Sequence, residues 1–162
     1  MVATVALSSK ERSPGDAQQL VNSVHDVMKS VLHRVHPTLE AEGISMGQFW
    51  ALHLVSSLGS ASVTTVARHL SVSAPSVCAN VDQLEAAGLV SRQRSERDRR
   101  EVDLTLTSKG RKVESRVWAR IGRVMAEASE DLTSEDVAAA VRVFRELKHR
   151  LDAPGASLAE GS

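Results

Sequence analysis

Apolar residues recur along most of this chain at helical rather than strand spacing. Leu20, Val21, Val24, Val27, Met28, Val31, Leu32 and Val35 fall every three or four positions and predict a long first helix. Ser13-Pro14-Gly15-Asp16 gives it a start, with a Ser N-cap, Pro in the first turn and an acid at the third position. Pro37 is expected to kink or break this helix near His36, with a short continuation through Leu39 that ends at Gly43. A second helix begins at Ser45, where Ser45 and Gln48 have capping-box spacing, carries Phe49, Leu52 and Val55 on one face, and stops near Gly59. Residues 62–70 and 73–87 make the third and fourth helices, with Gly88 as the stop. The period then changes to alternation, predicting strands over Leu89–Arg94 and Glu101–Leu106. Thr107 caps a long helix with Val113, Val117, Ile121 and Val124 on one face. Thr133 and Asp136 open the last helix, with Leu132 and Val137 as a hydrophobic staple and a stripe of Val137, Val141, Phe144, Leu147 and Leu151.

This order predicts a mainly α fold with a small β-hairpin. Between Ser62 and Thr107 it reads helix, tight turn, helix, strand, arginine-rich loop, strand: a winged helix-turn-helix, a device that places one helix in the major groove of DNA and a wing in the neighbouring minor groove. The expected organisation is a flexible tail over 1–12, a winged helix-turn-helix domain over 45–107, helical segments 13–44 and 108–151, and a second tail over 152–162. The outer segments are not needed to complete a small winged helix. Their apolar stripes are expected to pack together and against a second copy, forming a dimerisation region. The alternative is a monomer whose outer helices merely cover the winged domain.

Composition sharpens this picture at a few points. Hydrophobic residues make up 42% of the 162 residues but aromatics only 2%, so the core has to be built from Val, Leu and Ala, which suits helices. The formal net charge is zero, and the whole chain therefore does not announce a nucleic-acid partner. Its distribution does: Arg92, Arg94, Arg97, Arg99, Arg100, Lys109, Arg111 and Lys112 crowd one short segment, against Glu96, Asp98, Glu101 and Asp103. The single Cys78 excludes an intrachain disulfide and fits a reducing cytosol. No signal-peptide pattern opens the sequence and no apolar run approaches the roughly 18 residues of a membrane span, so a soluble, cytoplasmic protein with no membrane partner is expected.

In the fourth helix Val77, Val81 and Leu84 share a face that should bury. Burial there turns Pro75, Ser76, Ala79, Asp82 and Gln83 outward, with Asn80 and Cys78 on the flanks. Ser73 is a good N-cap, and a first turn aimed at DNA also offers backbone N–H groups to a phosphate. Gln83 and Asn80 can pair with adenine, Ser76 can bond several bases, and Ala79 and Pro75 can touch a thymine methyl. Arg92, Arg94 and Arg97 suit phosphates, and the arginines around Asp98-Arg99-Arg100 suit the narrow minor groove of A·T-rich DNA. The bland reading makes all of these solvated residues, with the hairpin balanced by Glu96, Asp98 and Glu101.

HPTLEAEGISMGQFWALHLV, LEAAGLV, DRREVDLTLTSKGRK and LTSEDVAAAVRVFRELKHRL together resemble the MarR (multiple antibiotic resistance regulator) family of bacterial transcription factors. The resemblance spans roughly residues 16 to 151 and is most specific from Glu85 to Gly110. It implies a winged-helix homodimer that binds a palindromic double-stranded operator, usually as a repressor, and that in many members is released by a small aromatic or phenolic ligand or by thiol oxidation. Asp98 and Arg100 correspond to the family's Asp-x-Arg wing, where the carboxylate can hold the minor-groove arginine. Ala74, Ala79 and Gln83 stand where the family often carries basic residues, which shifts the expected affinity onto the wing.

The resemblance also implies a ligand pocket, for which His33, His36, Trp50, His53 and Trp118 are the candidates; the bland reading is core tryptophans and solvated histidines. His33-x-x-His36 could pair on a metal, but no Cys/His cluster completes the ligands, so no metal and no cofactor beyond an effector is expected. Cys78 corresponds to a position near DNA, where oxidation would add bulk, although a small semi-buried thiol is the favoured reading. The main expectation is a dimeric DNA-binding repressor and the alternative a winged-helix protein-interaction module without DNA binding. An enzyme is not expected, since G-x-S-x-G, phosphate-loop and H-E-x-x-H patterns are all missing.

Overall fold

The computed structural model describes residues 14–94 and 102–153. Along the chain run α1 (Pro14–Glu42), α2 (Met46–Leu58), β1 (Ala61–Ser62), α3 (Val63–Leu70), α4 (Ala74–Ala86), β2 (Val90–Arg94), β3 (Val102–Leu106), α5 (Ser108–Ala128) and α6 (Ser134–Asp152). They fall into two compact units, divided between Val124 and Met125.

In the first unit α2, α3, α4 and α5 each start where a small polar side chain captures a free backbone N–H. Ser45 Oγ accepts from Gln48 N while Ser45 N donates to Gln48 Oε1 at 2.7 Å, closing the capping box expected at α2. Ser62 caps α3 through Thr65 N and Ser73 caps α4 through Ser76 N. Thr107 Oγ1 accepts from Gly110 N at 3.0 Å at the head of α5. Between α3 and α4 the chain reverses through Ser71, held in the left-handed region at φ 54°.

The sheet has the order β1-β3-β2, antiparallel throughout, with Ala61 opposite Leu104 and Arg94 opposite Val102. β1 is absent from the sequence-based reading because two residues are too short to show alternation. Its effect is to stitch the entry of α3 to the stem of the hairpin. Beneath lies one core, in which Phe49, Leu52 and Val55 of α2 meet Val66 of α3, Val77, Val81 and Leu84 of α4, and Leu104 of β3. The head of α5 comes so near Leu89 that a Cβ at Gly110 would lie 2.0 Å from the Leu89 carbonyl oxygen, and only glycine allows that approach.

Of the kink or break expected near His36, the break is not found. α1 continues through Pro37 to Glu42 as one 29-residue helix. Its final turns have tertiary support, since Val35 is 0% and Leu39 3% exposed in the core, and this burial outweighs the one hydrogen bond that proline removes. The preceding turns carry Leu20, Val21, Val24, Val27 and Met28 exposed.

In the second unit Thr133 caps α6, its Oγ1 accepting from Asp136 N at 3.1 Å while Asp136 Oδ2 accepts from Thr133 N, as the capping-box spacing predicts. None of the α6 residues is buried, and Val137, Val141, Phe144 and Leu151 are all exposed.

Candidate nucleic-acid interface

α3 and α4 pack across the turn at Ser71, and burial of Val77, Val81 and Leu84 fixes the rotation of α4. Pro75, Ser76, Ala79, Asp82 and Gln83 are consequently exposed, and Asn80 is half-buried on the flank, the arrangement read from the sequence. Cys78 differs: it is exposed rather than semi-buried, because it follows Val77 around the helix and lies away from the core.

The N-terminus of α2 backs this helix. Gln48, buried beneath α4, donates from Nε2 to Gln83 Oε1 at 2.6 Å. Gly47 lies beside Asn80, whose Nδ2 would be 3.6 Å from a Cβ there. In the sequence Gln48 shows only as the capping-box partner of Ser45. The contact with Gln83 spans 35 positions, and no local pattern reports it.

β2 borders the other side of α4. Arg92 Nη2 donates to Asp82 Oδ1, and Arg92 Nη1 lies 3.3 Å from Glu85 Oε2, so both acids of the fourth helix converge on one guanidinium. The hydrogen bond to Asp82 is the main reason that the Arg92 pKa is raised above its ordinary value. The hairpin stem is set by the β2–β3 ladder and by a 2.9 Å bond between Ser91 Oγ and Thr105 Oγ1. Arg94 is exposed at its end. The expected wing contacts Arg97, Asp98, Arg99 and Arg100 lie outside the described residues. Two further cations of the basic segment serve the backbone instead: Lys109 Nζ donates to Ala87 O at 2.8 Å and Arg111 Nη1 to Leu106 O at 2.7 Å.

Of the five candidate pocket residues the structure brings three together. His53 stacks on Trp118 with ring centroids 4.1 Å apart and lies edge-on to Trp50 at 6.0 Å, with Phe49 behind. His53 Nδ1 lies 2.8 Å from Oε1 of Glu114, a buried carboxylate that the sequence reading did not single out. Its signal is positional, since Glu114 stands one turn before Trp118 and adjoins the apolar stripe of α5. His33 and His36 are exposed on α1, and His36 faces Glu40 at 3.5 Å. Among the described residues no group of three His, Cys, Asp or Glu side chains gathers as a metal site requires, and no helix is long and apolar enough to cross a membrane.

A helix-turn-helix whose second helix adjoins an antiparallel hairpin defines the winged helix-turn-helix class. Residues 42–101 match the sequence profile of the MarR family. The chain is 27% identical over 135 residues to the HTH-type transcriptional repressor MdtR of Bacillus subtilis strain 168, covering 81% of this chain and 87% of that one. A MarR family protein from Bacillus stearothermophilus superposes with a TM-score of 0.78 at 22% identity, over 88% of this chain and 100% of that one. NadR in complex with 4-hydroxyphenylacetate superposes with a TM-score of 0.67 at 22% identity, over 88% and 96% of the two chains. These matches make the chain similar to MarR-family transcription regulators, the family match itself spanning residues 42–101.

Proposed function

We propose that the protein is a homodimeric, sequence-specific DNA-binding repressor of a palindromic operator. The observation that carries this reading is the outward face of α4, where Ser76 and Gln83 are exposed and Asn80 lies half-buried on the flank beside the β2–β3 stem. In this reading α4 enters the major groove, with Ser73 and the first-turn N–H groups against a phosphate. Arg94 and Arg97 bind the backbone, and the arginines of Asp98-Arg99-Arg100 suit the minor groove, where Asp98 steadies Arg100. Arg92, held by Asp82 and Glu85, braces α4 against β2 and keeps further N–H donors for a phosphate. The exposed stripes of α1 and α6, within segments 13–44 and 108–151, are covered by a second copy, which sets two reading heads about one DNA turn apart.

For release, the cluster of Trp50, His53 and Trp118 offers flat apolar faces and a histidine-carboxylate handle. A phenolic or other small aromatic acid fits that chemistry, and the superposed NadR is complexed with one. His33 and His36 then line the approach from α1. Titration with 4-hydroxyphenylacetate should quench tryptophan fluorescence and lower DNA affinity, and an unchanged spectrum and affinity would remove the effector from this reading.

The decisive experiment is selection from random DNA followed by affinity measurement at several salt concentrations. Enrichment of a two-fold symmetric site whose affinity falls steeply with salt is the expected result. Arg100→Ala should weaken binding about tenfold or more, whereas Glu130→Ala should leave it unchanged. No enrichment, or salt-insensitive binding, overturns the repressor reading in favour of a protein-interaction module, the reading that zero net charge and an uncharged outer face at Ala79 and Gln83 would then support.

A further inference from the structure

We propose that Gln48 is a positioning residue for base recognition, holding the Gln83 amide so that it presents its NH2 group, and not its carbonyl oxygen, to the DNA. This inference rests on the DNA-binding reading and specifies what α4 would select there.

The backbone N–H of Ser45 is a group whose polarity cannot be exchanged. A backbone N–H only donates, so Ser45 N, 2.7 Å from the Gln48 side chain, must face its oxygen Oε1. That contact settles which end of the Gln48 amide is which. Nε2 then points the other way, and the Gln83 atom 2.6 Å from it must be an acceptor, Oε1. Gln48 is only 7% exposed, so water does not compete freely for this relay. Gln83 lies on the exposed face of α4 with its carbonyl turned toward α2. Its Nε2 is the end left to the groove.

A free glutamine pairs with adenine through both ends of its amide, accepting from N6 and donating to N7. A glutamine whose carbonyl is turned to Gln48 and engaged there presents its NH2 group outward, with the acceptor end directed away from the base. Its matching edge is one of acceptors, which guanine supplies at both O6 and N7, whereas the N4 amine of cytosine is the worst match. The capping box that starts α2 thereby sets the polarity of a contact made by α4. A recognition helix with little charge would obtain guanine selectivity without an arginine.

The test is parallel selection from random DNA with the full-length protein and four variants. In the unmodified protein one base pair per half-site should show a guanine preference of about five- to tenfold, and Gln83→Ala should erase it at that pair alone. Gln48→Glu keeps an acceptor for Ser45 N, and so keeps the capping box, but can no longer donate. The Gln83 amide should then turn over, give its NH2 to the new carboxylate and offer Oε1 outward, moving the preference to a base with an exocyclic amine, adenine or cytosine. In the Gln83→Ala background Gln48→Glu should change nothing at that pair.

Circular dichroism and thermal melting verify the fold. If Gln48→Glu does not fold, Gln83→Glu carries the test, because it still accepts from Gln48 while exchanging the outward donor for an acceptor, and its preference should move the same way. A folded Gln48→Glu that keeps the original preference overturns the inference while leaving DNA binding intact. So does a Gln83→Ala that weakens all sequences equally, which would mark a phosphate contact. If the unmodified protein enriches no sequence, the DNA-binding reading falls and this one with it.

Discussion

The two halves of α1 are built from the same residue types and meet opposite fates. In the second half Val35 and Leu39 are 0% and 3% exposed, sealed within the winged-helix core. In the first half Val21 is 61% and Val27 54% exposed, with Leu20, Val24 and Met28 beside them. Periodicity is continuous across both, so an apolar stripe reports that a face will be covered and not by what. A contiguous exposed stripe of this kind is unusual on a protein that stays monomeric, and it is the surface that a second copy would close.

The largest effect should come from the closed side of this contrast. Phe49 is fully buried, and Phe49→Ala is expected to cost about 3–5 kcal/mol in urea unfolding. The next comes from the open side. Val24→Asp combined with Met28→Asp should weaken self-association about a hundredfold or more, read by sedimentation equilibrium, because it places charges in the proposed apolar interface. The winged unit should keep its helical content, and its melting temperature should lose its dependence on protein concentration. A double variant that stays as dimeric as the parent would break the contrast, since the open half of α1 would then have no cover to lose.

How far the sequence disclosed this molecule divides along similar lines. The caps at Ser45, Ser73, Thr107 and Thr133 were legible because each rests on a polar side chain within three residues of its partner. The outward face of α4 followed from Val77, Val81 and Leu84 alone. What escaped reading depends on distant segments meeting: the two-residue β1, the carriage of α1 through Pro37, the capture of Arg92 by Asp82 and Glu85, and the contact of Gln48 with Gln83. Glu114 escaped for the same reason, since its partner His53 lies 61 positions away.

A smaller effect should come from the seam between the hairpin and α5. Gly110→Ala drives a methyl group onto the Leu89 carbonyl, and because that atom is backbone it cannot swing aside. A loss of about 1–3 kcal/mol is expected in urea unfolding, against a gain of about 0.5–1 kcal/mol for Gly122→Ala in the interior of α5, where the added carbon meets nothing within 4 Å. Equal stability of the two variants would show that α5 can slide away from β2 at little cost.

The smallest expected effect concerns the joint that ends the buried half of α1. Arg116 of α5 donates from Nε and Nη2 to the two carboxylate oxygens of Glu42, at 2.5 and 2.7 Å. The hydrogen bond from Arg116 is the main reason that the Glu42 pKa is lowered, against a smaller opposing effect of burial. A carboxyl whose pKa is lower folded than unfolded stabilises the fold fully above its ordinary value, and loses that contribution as pH falls through the folded one. The pair should therefore help at neutral pH and not in strong acid. Because Arg116 is half exposed, solvent screens the gain, and Glu42→Gln should lower the urea midpoint by only on the order of 0.2 M at pH 7. The difference from the parent should shrink toward zero as the pH is brought below the carboxylate range, and the variant should show a shallower loss of stability over that interval. Parallel pH profiles for the two proteins would mean that the pair does not hold α1 to α5, and that burial of Val35 and Leu39 alone keeps the lower half of the helix in place.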